Sequence, residues 1–448
     1  MDRLDQTPFG PDLVTEFAAA FPPGSRFVIA FSGGADSLAL LHAFAGSRER
    51  DSSMRLCAVH VDHHLHPDST RWARQCRDIC HRLAIELTVL DADLRPDDAA
   101  HVNEGTARAA RYAVFERILS AGDVLCTAHS RDDHIETVLL NLLRGGGARG
   151  LAGIPARRRL GPGTVARPAL GVSRAALHAY ARGTGLESIR DPANEDPRFS
   201  RVLLRRKVIP TLEERWPTLR STLARAAERG RESADLLDTL AAIDLEPAGG
   251  IDGESLDVAA VGALDPARRR NAVAGWLRAR GITSPGARRI EQIARNLVEA
   301  RRDAMPCIGL GNVEVRRFRG RIRLISRATP VATQVVRGWR IPEPLALDHG
   351  CLAWESCTGG GLDDAVGDTR ITVRVRGDDA GWMRATAGRG RSLKKRFQSL
   401  GIPPWERGRI PLVYSDDMLA AIGSAWINPR LAARPGASGW RVLWTPRR

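Results

Sequence analysis

Lysine is nearly missing from this 448-residue chain: only Lys207, Lys394 and Lys395 occur among 67 basic residues. Arginine stands almost everywhere else, so the adjacent pair Lys394–Lys395 marks positions that want a compact charge on a flexible stem. Cys-x-x-Cys is also missing. The seven cysteines, at 57, 76, 80, 126, 307, 351 and 357, are odd in number, which argues against a disulfide framework and a zinc ribbon alike. Cys76 and Cys80, one helical turn apart, read best as two packed thiols. No run approaches ~18 apolar residues and residues 1–10 lack the apolar core of a signal peptide, so the expectation is a soluble, cytoplasmic protein without membrane contact. Internal repeats and extended low-complexity tracts are absent. What is in excess is positive charge, +15 net with a pI near 10.6. Such a balance points to a polyanionic partner, foremost nucleic acid, because clustered cations gain from counterion release. A genome-wide arginine bias would produce the same composition. The length predicts two to four domains, each able to bury a core.

The residues of greatest information lie between 26 and 44. The strand-like run Phe27-Val28-Ile29-Ala30-Phe31 meets Ser32, Gly33, Gly34, Ala35, Asp36 and Ser37, then breaks into helical spacing at Leu38, Leu41 and Phe44. Strand, glycine turn and helix aim unpaired N–H groups and the positive end of a helix dipole at an anion. The glycines let the backbone approach a ligand, and the two serines add hydroxyl donors. Asp36 beside a phosphate makes sense with a Mg²⁺ between them. The spacing is not the Walker pattern. A tight turn with Ser or Asp as a helix cap is the plainer reading.

Further strands are expected at 55–61, 85–90 and 123–127, alternating with helices near 68–83 and 105–119, which implies βαβ units and a parallel sheet. Ligands in such sheets bind beyond the strand C-termini. Residues 32–37, Asp62 to His64 and the segment Ala128 to Thr137 all fall there. In the last, Asp133 and Glu136 share one face of a helix's first turn. They suit a cationic substrate, or simply the helix dipole. Histidines 129 and 134 are proton carriers or hydrogen-bond partners. Residues 144–150, glycine-rich with two arginines, are a mobile loop near phosphate or RNA, or a linker. A helix is expected at 173–184, and another at 201–210 that carries Arg201, Arg205 and Arg206 for phosphates or as a solvated basic face. Beyond 216 the pattern turns helical, with residues 246–262 loop-like, helices at 266–280 and 285–299, and short strand-like runs at 313–315 and 322–324. Domains are therefore expected at 1–215 (nucleotide-binding, α/β), 216–327 (mainly helical) and 349–448 (β-rich or α+β), with 328–348 a connection. The last domain holds a basic amphipathic segment, Lys394, Lys395 and Arg396, stopped by Gly401-Ile402-Pro403-Pro404.

The 32–37 string resembles the pyrophosphate loop (PP-loop) of N-type ATP pyrophosphatases, which cleave ATP between its α- and β-phosphates. With Val61-Asp62-His63, Glu104-Gly105-x-x-Arg108-x-x-Arg111-Tyr112, the Ala128–Thr137 block, the 191–210 block and the distal lysine segment, nearly the whole chain resembles bacterial tRNA(Ile)-lysidine synthases. It departs from their pattern at Ser130, His134 and Val202. The resemblance implies an adenine nucleotide α-hydrolase-like N-terminal fold and a carbon–nitrogen ligase. ATP and Mg²⁺ would be held by residues 32–37 with His60 and Asp62, and Asp36 would reach the metal. The substrates would be free L-lysine and tRNA(Ile) with a CAU anticodon, whose wobble cytidine is adenylated and then substituted, turning AUG reading into AUA. It further implies Asp36, Arg108, Arg111, His129, Asp133 and Glu136 at the reaction centre, the last two carboxylates on the lysine ammonium. Arg201, Arg205, Lys394, Lys395 and Arg396 would meet tRNA, and a homodimer is compatible with this reading. The competing expectations are a tRNA sulfurtransferase, disfavoured without paired cysteines, and an RNA-binding protein that keeps only a nucleotide-sensing loop.

Overall fold

The computed structural model describes the chain apart from residues 1–8, 65, 93–103, 193–195, 197, 199, 283–284, 302–303, 328–330, 377–392 and 448. The chain divides into two compact units, residues 1–239 and 240–448.

The first unit begins with α1 (Pro11–Ala19), β1 (Arg26–Ala30), α2 (Ala35–Arg50), β2 (Arg55–Asp62), α3 (Ser69–Arg82), β3 (Glu86–Asp91), α4 (Glu104–Ile118), β4 (Val124–Cys126) and α5 (Arg131–Leu143). A short α6 (Ala148–Leu151), β5 (Arg157–Leu160), β6 (Gly163–Ala166) and α7 (Arg174–Gly183) complete the sheet layer. The sheet order is β3-β2-β1-β4-β6-β5, parallel except for β5 at the edge. Alternation along β1 explains how both faces are covered. Phe27, Ile29 and Phe31 enter a core with Leu38, Leu41 and Phe44 of α2, all nearly or fully buried. Val28 enters the opposite core with Phe115 and Leu119. Each fully buried side chain of this size contributes roughly 1.5–3 kcal/mol. The chain runs outward from β1 through β2 to β3 and then crosses back to β4 on the other side of β1, so a crevice opens at the C-terminal ends of β1 and β4.

The expected parallel strands are all present. The β5–β6 hairpin lies beyond what the sequence reading anticipated. After α7 come α8 (Ser200–Leu203), a π-turn at Leu204–Val208, α9 (Ile209–Arg215) and α10 (Leu219–Leu245), which crosses the unit boundary. The π-turn is the kind of helix irregularity often found at functional sites.

The second unit holds β7 (Ser255–Asp257), α11 (Val258–Gly262), α12 (Pro266–Ala279), α13 (Ala287–Gln292), β8 (Cys307–Leu310), β9 (Val313–Phe318) and β10 (Arg321–Ser326). Residues 246–262, expected as loop, thus contain a strand and a helix that Asp257 caps through its Oδ1. The helices pack through Trp276, Leu277 and Leu297 onto a four-stranded antiparallel sheet ordered β7-β10-β9-β8. Its central strands β9 and β10 contain the strand-like runs expected at 313–315 and 322–324, and β7 and β8 are additions to that expectation. The remaining elements are β11 (Gln334–Trp339), β12 (Leu345–Leu347), β13 (Gly350–Thr358), β14 (Leu362–Asp363), β15 (Ile371–Val375), α14 (Leu393–Ser399), α15 (Pro404–Arg407), β16 (Leu412–Ser415), β17 (Met418–Ile422), β18 (Trp426–Ile427) and β19 (Ser438–Pro446). They build two antiparallel sheets, β11-β15-β16-β17-β18 and β12-β13-β19-β14, around Trp339, Trp354, Val373 and Val442. No helix among the described residues is long and apolar enough to cross a membrane.

Candidate active site

A cleft of about 460 Å³ opens at the C-terminal ends of β1, β2 and β4, a volume suited to a nucleotide-sized ligand. The glycine turn borders it through Ser32, Asp36 and Ser37. Gly33 has φ +82°, and a Cβ there would collide with the Ile189 side chain, whose backbone N–H donates to the Gly33 carbonyl at 2.9 Å. Gly34 is the N-cap of α2 and no side chain caps that helix, so its first-turn N–H groups remain for an anion. Ser37 Oγ donates to the Gly34 carbonyl at 2.9 Å, and Ser32 Oγ lies 3.1 Å from Ser37 Oγ. Asp36 also lines the cleft. Its Oδ1 has no hydrogen-bond partner although His178 Nε2 lies 3.0 Å away. A buried carboxylate oxygen left in that state, next to an anion cradle, fits a hard divalent cation such as Mg²⁺.

On the β2 side, His60 is buried with Nδ1 2.9 Å from the Phe31 carbonyl. Burial lowers its pKa, so the ring is neutral and Nδ1–H donates. Asp62 is buried too, and its Oδ1 accepts the His64 backbone N–H at 2.8 Å, ordering the turn after β2. Cys76 and Cys80 are the packed thiols expected, and burial pushes both up to about 12.

The acidic pair is held by arginines. Ser130 makes a reciprocal cap of α5: Asp133 Oδ2 accepts both the Ser130 backbone N–H and Oγ–H at 2.8 Å. Asp133 Oδ1 faces Arg174 Nη2 at 2.5 Å. Burial opposes the charge on Asp133, but Arg174 and the Ser130 N–H outweigh it and hold the carboxyl below its usual range. Glu136 is only 1% exposed and lies outside the cleft lining. Its oxygens take Arg205 Nε at 2.8 Å, Arg205 Nη2 at 3.0 Å and Arg174 Nη1 at 3.1 Å. Arg174 Nε also approaches Asp36 Oδ2 at 3.6 Å, so one guanidinium joins the glycine turn to α5. Arg174 was missed in the sequence. The available signal was its place in the first turn of α7, where a cation opposes the helix dipole.

Arg205 is 32% exposed and also pairs with Glu136, and Arg201 Nη2 donates to Thr137 Oγ1 at 3.2 Å. His134 is also resolved. Its Nδ1 accepts the Ile154 N–H at 3.1 Å, and a Cβ on Gly153 (φ +64°) would press against its ring. It anchors the chain after the glycine-rich loop and takes no part in the cleft.

The opposite wall is cationic. Arg108 Nη1 lies 3.5 Å from His129 Nε2, whose Nδ1 lies 2.8 Å from Thr127 Oγ1. Burial first, then Arg167 and Arg108, push the His129 imidazole down to about 3. It is therefore a neutral acceptor for Arg108 rather than a proton carrier near neutral pH. Arg111 Nε donates to His63 Nε2 at 3.1 Å, and burial with Arg111 pushes His63 down to about 4. In the second unit, Lys394 and Lys395 are exposed on α14, Phe397 is fully buried, and Arg396 Cζ lies 3.8 Å over the Trp426 ring. The start of the basic segment, residues 390–392, lies outside the described residues.

A glycine turn at the switch point of a parallel sheet is the mark of a nucleotide-binding α/β protein, and residues 12–212 match the family described as "PP-loop domain". Residues 256–323 match the "TilS substrate binding domain" and residues 371–444 the "TilS substrate C-terminal domain". The chain is 38% identical to the tRNA(Ile)-lysidine synthase of Methylococcus capsulatus over 438 residues, 96% of this chain and 98% of that one. The enzyme of the same name from Coxiella burnetii is 35% identical, covering 98% and 97% of the two chains. That of Alkalilimnicola ehrlichii is 38% identical, covering 95% of each. The chain belongs to the tRNA(Ile)-lysidine synthase family.

Proposed function

We propose that this protein joins free L-lysine to C2 of the cytidine at the first anticodon position of a tRNA(Ile) with a CAU anticodon, using ATP. The cytidine O2 attacks the α-phosphate of ATP and pyrophosphate leaves. The lysine ε-amino group then attacks C2 and expels AMP. The observation that carries this reading is one cleft bounded by an anion-binding glycine turn, a carboxylate cluster and an arginine wall.

Residues 32–37 would cradle the phosphates, with His60 and Asp62 on the adenosine side. Mg²⁺ at Asp36 would neutralise charge growing on pyrophosphate. Arg111 faces the same cleft and would do so on the α-phosphate side, with Arg108 one helical turn away on α4. For the amino substrate, Asp36, Asp133 and Glu136 share two guanidinium groups, Arg174 and Arg205, and the His178 imidazole. Asp133, which lines the cleft, is the direct contact, and Glu136 acts through the arginines. His129, pushed down to about 3, is a poor base at neutral pH, and Asp133 is held below its usual range, so the ammonium loses its proton to water in the cleft. Exposed Lys394 and Lys395, with Arg396 beside them, would meet tRNA phosphates.

Asp36→Ala should abolish tRNA-dependent pyrophosphate release while tRNA binding persists. Undiminished release in that variant would remove the metal-bridged nucleotide from the account.

A further inference from the structure

Among the described residues, the arginine wall of the cleft has no carboxylate partner. Arg167, at the C-terminal end of β6, is 4% exposed. Its Nη1 donates to the Pro155 carbonyl at 2.6 Å and its Nη2 to the Tyr112 oxygen at 3.5 Å, while its Nε has no partner. Arg108 Nη2 donates to the same phenol oxygen at 3.3 Å, and Arg158 Cζ lies 4.5 Å above the Tyr112 ring. Among the described residues no carboxylate pairs with Arg108, Arg158 or Arg167. Arg174, Arg205 and Arg220 of the same unit each face one or more. Burying cations without an anion is costly unless a ligand supplies the charge. The phenol accepts from two guanidinium groups, so its own O–H is free to donate, and Tyr112 and Arg108 both line the cleft.

We propose that Tyr112 and Arg108, backed by Arg167 and Arg158, form an oxyanion subsite that takes the α-carboxylate of the amino-acid substrate. This rests on the reading of free lysine as the amino donor. Arg108 touches His129, and the same cleft wall runs on to Asp133, so cationic and anionic groups flank one imidazole as a zwitterion requires. A carboxylate is favoured over a phosphodiester because Arg167 is recessed behind Tyr112, away from the reach of a polynucleotide backbone. Arg167 and Arg158 are positioning residues; Tyr112 is the contact.

The test compares lysine with 1,5-diaminopentane, which keeps the amines and lacks the carboxylate, using the full chain, ATP and the CAU-anticodon transcript. Wild type should prefer lysine at least a hundredfold in kcat/KM. Tyr112→Phe and Arg167→Gln should each cut that preference roughly ten- to hundredfold through the lysine KM, as expected for a hydrogen bond to a charged group. Adenylation of tRNA without lysine should stay within twofold. An unchanged preference in Tyr112→Phe, a wild type that does not discriminate, or a defect in the KM of tRNA or ATP instead would each overturn the assignment. The last outcome would mean that the anion is a phosphate. If Arg167→Gln does not fold, Tyr112→Phe decides alone. A wild type that fixes no lysine would fail the reaction itself, which is a separate result.

Discussion

Replacing Glu136 by alanine would remove the anion that two guanidinium groups share inside the first unit. Glu136 is 1% exposed, Arg174 15% and Arg205 32%. At about 3 Å and an effective dielectric near 20, each pair carries a gross attraction of about 5 kcal/mol, most of it offset by desolvation. Arg174 keeps Asp133 in the variant, so the penalty falls mainly on Arg205, which is partly hydrated. The expected loss is about 3 kcal/mol, the low end for breaking a buried pair from one side. Because the chain has more than one cooperative unit, a single unfolding midpoint would mix contributions. Amide hydrogen exchange in α5 and in α8 with the π-turn reads the local opening directly. Glu136→Ala should speed exchange there by roughly 10². The double variant Glu136→Ala/Arg205→Ala should recover part of it, since no unpaired Arg205 remains. Acceleration below about threefold in the single variant would refute the inference that this ion pair holds α5 to the following helices.

Two further outcomes follow from the electrostatics. His129 is held to about 3 and His63 to about 4, against an ordinary value near 6.5. The unfolded chain therefore binds more protons between those limits, so their stabilising contribution is intact above about pH 6.5 and falls with acidification. From pH 7 to pH 5, His129 should cost the first unit at most about 2 kcal/mol, and His129→Asn should flatten that dependence in hydrogen exchange; an unchanged slope would contradict the burial argument. Lys394→Ala/Lys395→Ala should weaken tRNA binding and lower the salt slope by roughly one per lost phosphate contact, and an unchanged slope would return the pair to a solvated face.

The parallel strands and the glycine turn were legible because their signals are local. An apolar run of period two, a Ser-Gly-Gly-x-Asp-Ser turn and a helix at period 3.6 follow one another within twenty residues. The β5–β6 hairpin was not legible, since Arg157-Arg158-Arg159 has no alternation and the strand sits at a sheet edge. The three-residue β7 is too short to carry a pattern. The site divides in the same way. Asp36, Asp133 and His129 stand next to strand ends and could be read off. Arg174 and Arg167 act through partners roughly 40 to 140 residues away, and in so arginine-rich a chain neither stands out. The pairing of Arg205 with Glu136 was hidden for that reason: a basic residue on a helix does not announce that a buried glutamate faces it.

The most direct test of the account incubates the purified protein with ATP, Mg²⁺, labelled lysine and an isoleucine tRNA transcript bearing the CAU anticodon. The account predicts label fixed covalently at the wobble cytidine, with one AMP released per lysine. Pyrophosphate release without fixed label would contradict lysine as the nucleophile, and neither signal would contradict the enzymatic reading.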